Sequence, residues 1–224
     1  MKNINTELLK QTELFQGLKT ADIEAILSCM AATTKKYTKD SFVLHFGEQV
    51  NSIGIVLSGQ VNIIMEDYWG NRNIITMIKE GMTFAESYAC AEDIPLRVSA
   101  QAAADSEVLW LNVKKILTVC PSSCTFHTKL IRNLVALLAT KNLFINHKLS
   151  FLTQRSTREK LLAYLYSESK KHGAKAFAIP FDRQQLADFL SVDRSAMSNE
   201  LSKLRNEGIL EFNKNHFNFV HKPE

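Results

Sequence analysis

The sequence predicts an α+β protein: an N-terminal jelly-roll-like β roll, a long helix, and a C-terminal unit of short helices closed by a hairpin. Three observations carry this. Short β-branched and aromatic runs separated by glycine-containing turns fill the chain from about Lys35 to Val113. No Gly or Pro interrupts residues 122–152. Beyond them, apolar residues return at helical spacing in short segments before ILEFNKNHFNFV, which folds naturally into a hairpin around Asn213 to His216.

The totals agree with a folded chain. At 224 residues, 46% hydrophobic and 22% charged, it is long enough for one large or two smaller domains and ordinary for a soluble protein. No apolar run spans a bilayer, and the start MKNINTELLKQTELF lacks the apolar core of a secretory signal, so a cytoplasmic protein is expected. Four cysteines in that compartment read as thiols or ligands rather than as a disulfide framework. The net charge is +4, and its excess sits at the C-terminal end: residues 155–224 carry twelve Lys/Arg against nine Asp/Glu, the first 154 fifteen against fourteen. This points weakly to an anionic partner.

Residues from about Leu8 to Met30 read as helical, with Leu14, Phe15 and Leu18 before a turn at Lys19 and Thr20, and Ile23, Ile26 and Leu27 after it. SFVLHF, SIGIVL, QVNIIM, NIITMI and EVLWLNV are expected strands, divided by turns at Gly47, Gly59, Gly70 and Gly81. Many short strands at near-regular intervals make a sandwich, barrel or roll. In the long helix, Phe126, Leu130, Leu134, Leu138, Ile145 and Leu149 form a stripe. Such a seam needs a partner along its length, and pairing with a second copy is the economical solution. The alternative is packing wholly on its own β domain. The expected divisions are residues 1–121 for the β roll with its flanking helices, 122–153 for the dimerisation helix and 154–224 for the C-terminal domain.

The C-terminal domain opens with the helix TREKLLAYLYSES, then the loop KKHGAK and a short strand at AFAIP. In PFDRQQLADFLSV, Asp182 is placed to cap a helix and Gln185 to return the bond, while Leu186, Phe189 and Leu190 face inward. Asp193 caps the next helix and Gly208 suits its end. Turning each residue by about 100° puts Met197, Leu201 and Leu204 on one face and Ser195, Asn199, Ser202 and Asn206 opposite. Arg194 stands at the entry, with Lys203 and Arg205 on the flanks. Two short helices joined by a tight turn and followed by a hairpin make a winged helix-turn-helix, whose second helix offers a face of short hydrogen-bonding groups to the major groove. A helical bundle with a merely solvated face would share part of this pattern.

The order of helix, β roll, long helix and winged helix-turn-helix, together with RQQLADFLSVDRSAMSNELSKLRNEGIL, resembles the Crp/Fnr family of bacterial transcription regulators over nearly the full chain. The resemblance implies a homodimer, a sensory β roll of the cyclic-nucleotide-binding type, a two-fold symmetric DNA operator and RNA polymerase as a partner. It places base reading on Arg194, Ser195 and Asn199 and makes Arg183, Ser198, Ser202 and Lys203 further DNA-binding candidates. Family members often carry charged residues where this chain has Ser195 and Asn199, so its operator need not be the familiar one.

The sensory part departs from the family pattern. Cyclic-nucleotide binders resembling this chain carry Phe-Gly-Glu-Leu followed by Arg-Ser-Ala, to hold the cyclic phosphate with backbone NH groups and a guanidinium. Here FAESYACAEDIPLRVSA has Phe84 and Glu86, but Ala85 replaces the glycine and Ile94 and Pro95 stand where Arg and Ser are needed. Candidate pocket residues are therefore Phe84, Ala85, Glu86, Ser87, Arg97 and Ser99, for an effector other than a cyclic nucleotide. The family's oxygen-sensing branch holds an iron-sulfur cluster on cysteines near its N-terminus; with Cys29 the first cysteine here, that cluster is not expected. CPSSCTFH puts Cys120, Cys124 and His127 on one helical face. A metal, haem or thiol sensor is the sharp reading, and two packed cysteines beside a helix-start histidine the plainer one. Cys29 and Cys90 read as packing residues. No nucleophile elbow, phosphate loop or zinc-hydrolase spacing appears, so no enzyme is expected.

Overall fold

A computed structural model describes residues 4–66, 68–69, 72–91, 93–118 and 125–220. The chain forms two compact units, residues 1–140 and 141–224.

The first unit begins with α1 (Thr6–Gln11), a 3-10 turn at Glu13–Phe15 and α2 (Thr20–Cys29). The strands follow: β1 (Thr33–Tyr37), β2 (Phe42–Leu44), β3 (Ser52–Ser58), β4 (Gln60–Glu66), β5 (Arg72–Lys79) and β6 (Thr83–Phe84), then the short α3 (Glu86–Cys90), β7 (Ser99–Ala102) and β8 (Ser106–Asn112). They make two antiparallel four-stranded sheets, ordered β1-β8-β3-β6 and β2-β7-β4-β5. The strand in SFVLHF is shorter than that run suggests, and β1, β6, α3 and β7 lie outside the expected strand runs. Val56, Val61, Ile78, Ala100 and Val108 close the roll between the sheets. Of the expected turns, Gly70 lies outside the described residues. Gly59 joins β3 to β4 at φ +83°, where an added Cβ would come within 2.4 Å of the Asp105 carbonyl and the Ser106 hydroxyl. Only glycine fits both the conformation and the space.

After α4 (Val113–Leu117) comes α5 (Thr125–Leu152), inside which the unit boundary falls. Here the structure corrects the expected seam. Leu130 and Leu134 are fully buried against Leu14, Phe15, Ile23, Ile26, Leu27 and Ile116 of their own chain, with Phe126 and Leu138 packed alongside. Asn133 donates to the carbonyls of Leu14 and Gln16, each at 3.0 Å, and locks the same face. The N-terminal helices supply the apolar partner that the β roll alone was too small to provide. What stays open on α5 keeps Ile145 and Leu149 of the expected seam and adds Val135, Leu143 and Phe144, all more than half exposed. Cys29 is also corrected, being exposed at the end of α2 rather than packed, whereas Cys90 is half-buried against the core.

The second unit continues with α6 (Thr157–His172), β9 (Ala176–Ala178), α7 (Arg183–Leu190), α8 (Arg194–Asn206), β10 (Leu210–Asn213) and β11 (His216–Phe219). The strands form a sheet in the order β10-β11-β9. Its core gathers Leu161, Leu165, Leu186, Leu190, Met197, Leu201, Leu204, Phe217 and Phe219. Each is an inward position of an amphipathic helix or an alternating strand residue.

Candidate nucleic-acid interface

The start of α7 is set by a reciprocal cap: the Asp182 carboxylate accepts from the Gln185 backbone NH at 2.8 Å, and the Gln185 side-chain oxygen accepts from the Asp182 NH at 2.9 Å. The helix ends at Ser191 in the left-handed region, φ 50°, and the Val192 NH bonds back to the Ala187 carbonyl at 3.0 Å. This reversal lets Asp193 cap α8 by accepting from the Ala196 NH at 2.8 Å. The Ser195 hydroxyl donates to the same carboxylate, and these bonds hold its pKa below the ordinary value.

With Met197, Leu201 and Leu204 buried, Arg194, Ser195, Asn199, Ser202, Lys203, Arg205 and Asn206 of α8 face solvent. Their chemistry is not uniform. Ser198 is half-buried and its hydroxyl donates to the Arg194 carbonyl at 2.9 Å; that of Ser202 donates to Ser198 at 3.0 Å. Both keep lone pairs but have committed their protons. Lys203 pairs with Glu200 at 2.6 Å, an exposed bond easily exchanged. Arg205 lies over the Phe212 ring at 4.9 Å. Arg183, the first residue of α7, lies over Phe212 and Phe217 at 5.0 and 5.1 Å and is half-buried, so desolvation lowers its pKa while arginine stays charged. It braces the hairpin as well as facing the surface.

The starts of α7 and α8 and the hairpin turn line one open groove of about 740 Å³, bounded by residues 180–185 with Arg194, Lys214 and Asn215. Three cationic residues, Arg183, Arg194 and Lys214, line it with a single carboxylate, that of Asp182, which caps α7. That is a surface suited to phosphate oxygens. Lys214 and Asn215 are the members that sequence reasoning missed. Their signal was the N-K-N turn itself: Lys214 adopts φ 53°, and the Asn215 side chain donates to the Ile179 carbonyl at 3.0 Å, fixing the turn to the strand side of the unit.

In the β roll, the Phe84 ring is buried at 5.4 Å from that of Trp110 and fills the space above Gly54, where a Cβ would come within 2.5 Å of it. Ala85 takes φ 63°, the left-handed conformation in which the family pattern has glycine, at a cost of about 1 kcal/mol. Glu86 is buried, Ser87 and Arg97 are exposed, and the Ser99 hydroxyl accepts from the Phe46 NH at 3.0 Å. The Arg97 backbone NH lies 3.4 Å from the Tyr88 hydroxyl of α3. These residues do not fit a cyclic phosphate: among the described residues of this segment the guanidinium is that of Arg97, which is exposed, and Ile94 and Pro95, where Arg and Ser would stand, are also exposed. Cys120 and Cys124 lie outside the described residues. His127 is buried, and its Nε2 lies 2.8 Å from the Ile116 carbonyl. A carbonyl only accepts, so Nε2 carries the proton and only Nδ1 could bind a metal. No cluster of three His, Cys, Asp or Glu suited to a metal occurs among the described residues, and no helix among them is long and apolar enough to cross a membrane.

Two family models match the chain, a cyclic nucleotide-binding domain at residues 34–123 and a Crp-like helix-turn-helix domain at residues 159–224. Together they cover well over half of it, in the order that the fold displays. The chain belongs to the Crp/Fnr family. Crp/Fnr proteins are DNA-binding transcription regulators, and the groove just described lies within the matched helix-turn-helix domain. Among solved structures, the catabolite activator protein of Thermus thermophilus is similar at 21% identity, covering 93% of each chain with a TM-score of 0.54. CprK in complex with OCPA is similar at 15% identity, covering 89% of each chain with a TM-score of 0.63. The c-di-GMP responsive global regulator CLP of Xanthomonas campestris is similar at 18% identity, covering 90% of this chain and 99% of its own with a TM-score of 0.55. At these identities the likeness is one of fold. No curated protein matches the chain.

Proposed function

We propose that this Crp/Fnr protein is a homodimeric, sequence-specific regulator that presents α8 of each copy to a two-fold symmetric duplex, under the control of a small effector in its β roll. The observation that carries this reading is the outer face of α8. Arg194 and Asn199 are exposed beside the cationic groove and are the residue types that bond guanine and adenine edges in the major groove. Arg183 and Lys214 serve as phosphate contacts, and Ser195, Ser198, Ser202 and Lys203 complete the surface. Sensing belongs to residues 1–121, pairing to 122–153 and DNA reading to 154–224, in a cytoplasmic protein that acts with RNA polymerase and has no catalytic role of its own. Its effector is not a cyclic nucleotide, because the charge needed at the phosphate is displaced to the exposed Arg97.

Selection of bound DNA from random duplexes tests the reading. A palindromic site with half-sites about one helical turn apart is the expected product. Enrichment of no site would refute it. Repeating the selection with and without reductant and added metal addresses the rival sensor built on Cys120, Cys124 and His127, which would have to use Nδ1 of His127.

A further inference from the structure

The homodimer proposed above rests on α5, and one row of residues along it has a spacing that says more than that two copies meet. Ile131, Val135, Leu138, Asn142, Ile145 and Leu149 follow one another in alternate steps of four and three. That is the a/d pattern of a two-stranded coiled coil, with Val135, Asn142 and Leu149 at a and Ile131, Leu138 and Ile145 at d. Ile131 and Leu138 are half-buried against the first unit's core, whereas Val135, Ile145 and Leu149 are more than half exposed and Asn142 is exposed, so it is these four that the chain's own cores leave open. Every layer is aliphatic except one.

We infer that Asn142 is the register-setting residue of the dimer, pairing with Asn142 of a second copy in a parallel, in-register coiled coil. In that arrangement identical a residues face each other. The Asn142 side-chain oxygen accepts from Asn146 of its own helix at 2.8 Å, which orients the amide and leaves its NH2 group to donate across the seam. Slipping one copy by a heptad sets each Asn142 against Val135 or Leu149, and an antiparallel arrangement sets it against an aliphatic d residue. Either way a buried amide is left without its partner.

The flanking charges bear on the orientation. No Asp or Glu occurs anywhere in α5, so it cannot pair with a like helix through acid-base contacts. Lys141 and Lys148 occupy g positions, while e positions carry Arg132, Ala139 and Asn146. In parallel register, Lys141 meets Asn146 of the second copy. Antiparallel pairing brings g against g and opposes Lys141 to Lys148, two like charges.

The test uses the full chain and separates this inference from the dimer reading on which it rests. Ile145→Asp places a charge in an apolar layer while remaining a surface position of the single chain, and sedimentation should find it monomeric; a persistent dimer would remove α5 as the pairing helix. With that control satisfied, Asn142→Val should tighten the dimer roughly tenfold by removing a polar layer, and should cost it uniqueness. Uniqueness is read by oxidising Ile145→Cys protein alone and mixed with Leu138→Cys protein, with disulfides mapped by mass spectrometry. The wild-type background should yield 145–145 links only, and the Asn142→Val background should add 138–145 links or species larger than dimers. An Asn142→Val dimer that is no tighter, or that is tighter yet shows only 145–145 links and no larger species, overturns the register role.

Discussion

Leu134 and Ile145 lie on the same helix and are both aliphatic, yet truncating them should have opposite consequences. Leu134 is 1% exposed within the first unit's core, whereas Ile145 is 62% exposed. Leu134→Ala removes buried methyl groups from a site walled by Leu14, Phe15 and neighbouring side chains, with Asn133 holding the backbone in place on two carbonyls. The cost is about 3 to 5 kcal/mol, because a face so pinned cannot collapse into the cavity. For a unit of this size that lowers its melting temperature by roughly 6 to 20 °C. Ile145→Ala should change the melting of the isolated chain little, about 0.5 kcal/mol or less, while weakening association. Both tryptophans, Trp69 and Trp110, lie in the first unit, so their fluorescence during thermal unfolding reports that unit alone. Measurements over a range of protein concentrations separate intrinsic stability from association, since dimerisation stabilises by mass action. A Leu134→Ala protein that melts like wild type but sediments as a monomer would refute this division of the helix into a core face and a pairing face.

Arg194→Ala should weaken binding to the selected site by about 1 to 3 kcal/mol and random DNA far less, as measured by fluorescence anisotropy; equal losses on both would show that Arg194 reads no base. Cyclic AMP at a hundredfold excess over a micromolar dissociation constant would add about 2.7 kcal/mol of stability if it bound only the native state, so the absence of any thermal shift is expected and a shift of that size would overturn the reading of Arg97. The second unit should lose stability on the acid side. Bonds from Ser195 and the Ala196 NH lower the Asp193 carboxyl, the Ser156 backbone NH lowers Glu159, and Arg158 lowers Glu207. Groups with depressed folded pKa values contribute fully above the ordinary carboxylate range and lose that contribution as pH falls through it to their folded values. Asp193→Asn keeps a capping side chain but cannot titrate, so its unfolding midpoint, followed by circular dichroism, should fall less steeply with pH than that of wild type; an unchanged slope would show that the cap carries no linkage.

The second unit was legible in the sequence almost residue by residue, because its determinants are local. The capping pairs Asp182 with Gln185 and Asp193 with Ala196 act over three residues, the inward positions Met197, Leu201 and Leu204 follow from the helical step, and the hairpin register Asn213 to His216 follows from a two-residue turn. The exposure of Arg194 and Asn199 was fixed by the same periodicity. Only the tertiary structure showed that Arg183 lies over Phe212 and Phe217 and that Lys214 converges with it and Arg194, since those residues are brought together by the hairpin folding back on the helices. The helix α5 shows the limit most plainly. Its sequence carries apolar residues on several faces, and periodicity alone does not say which of them will find a partner within the chain. Leu130 and Leu134 are claimed by α1, α2 and the 3-10 turn more than a hundred residues away, and that long-range burial leaves Val135, Ile145 and Leu149 open. Hydrophobic pattern determines that a face must be buried, but what buries it is decided by whichever apolar surface the fold brings against it.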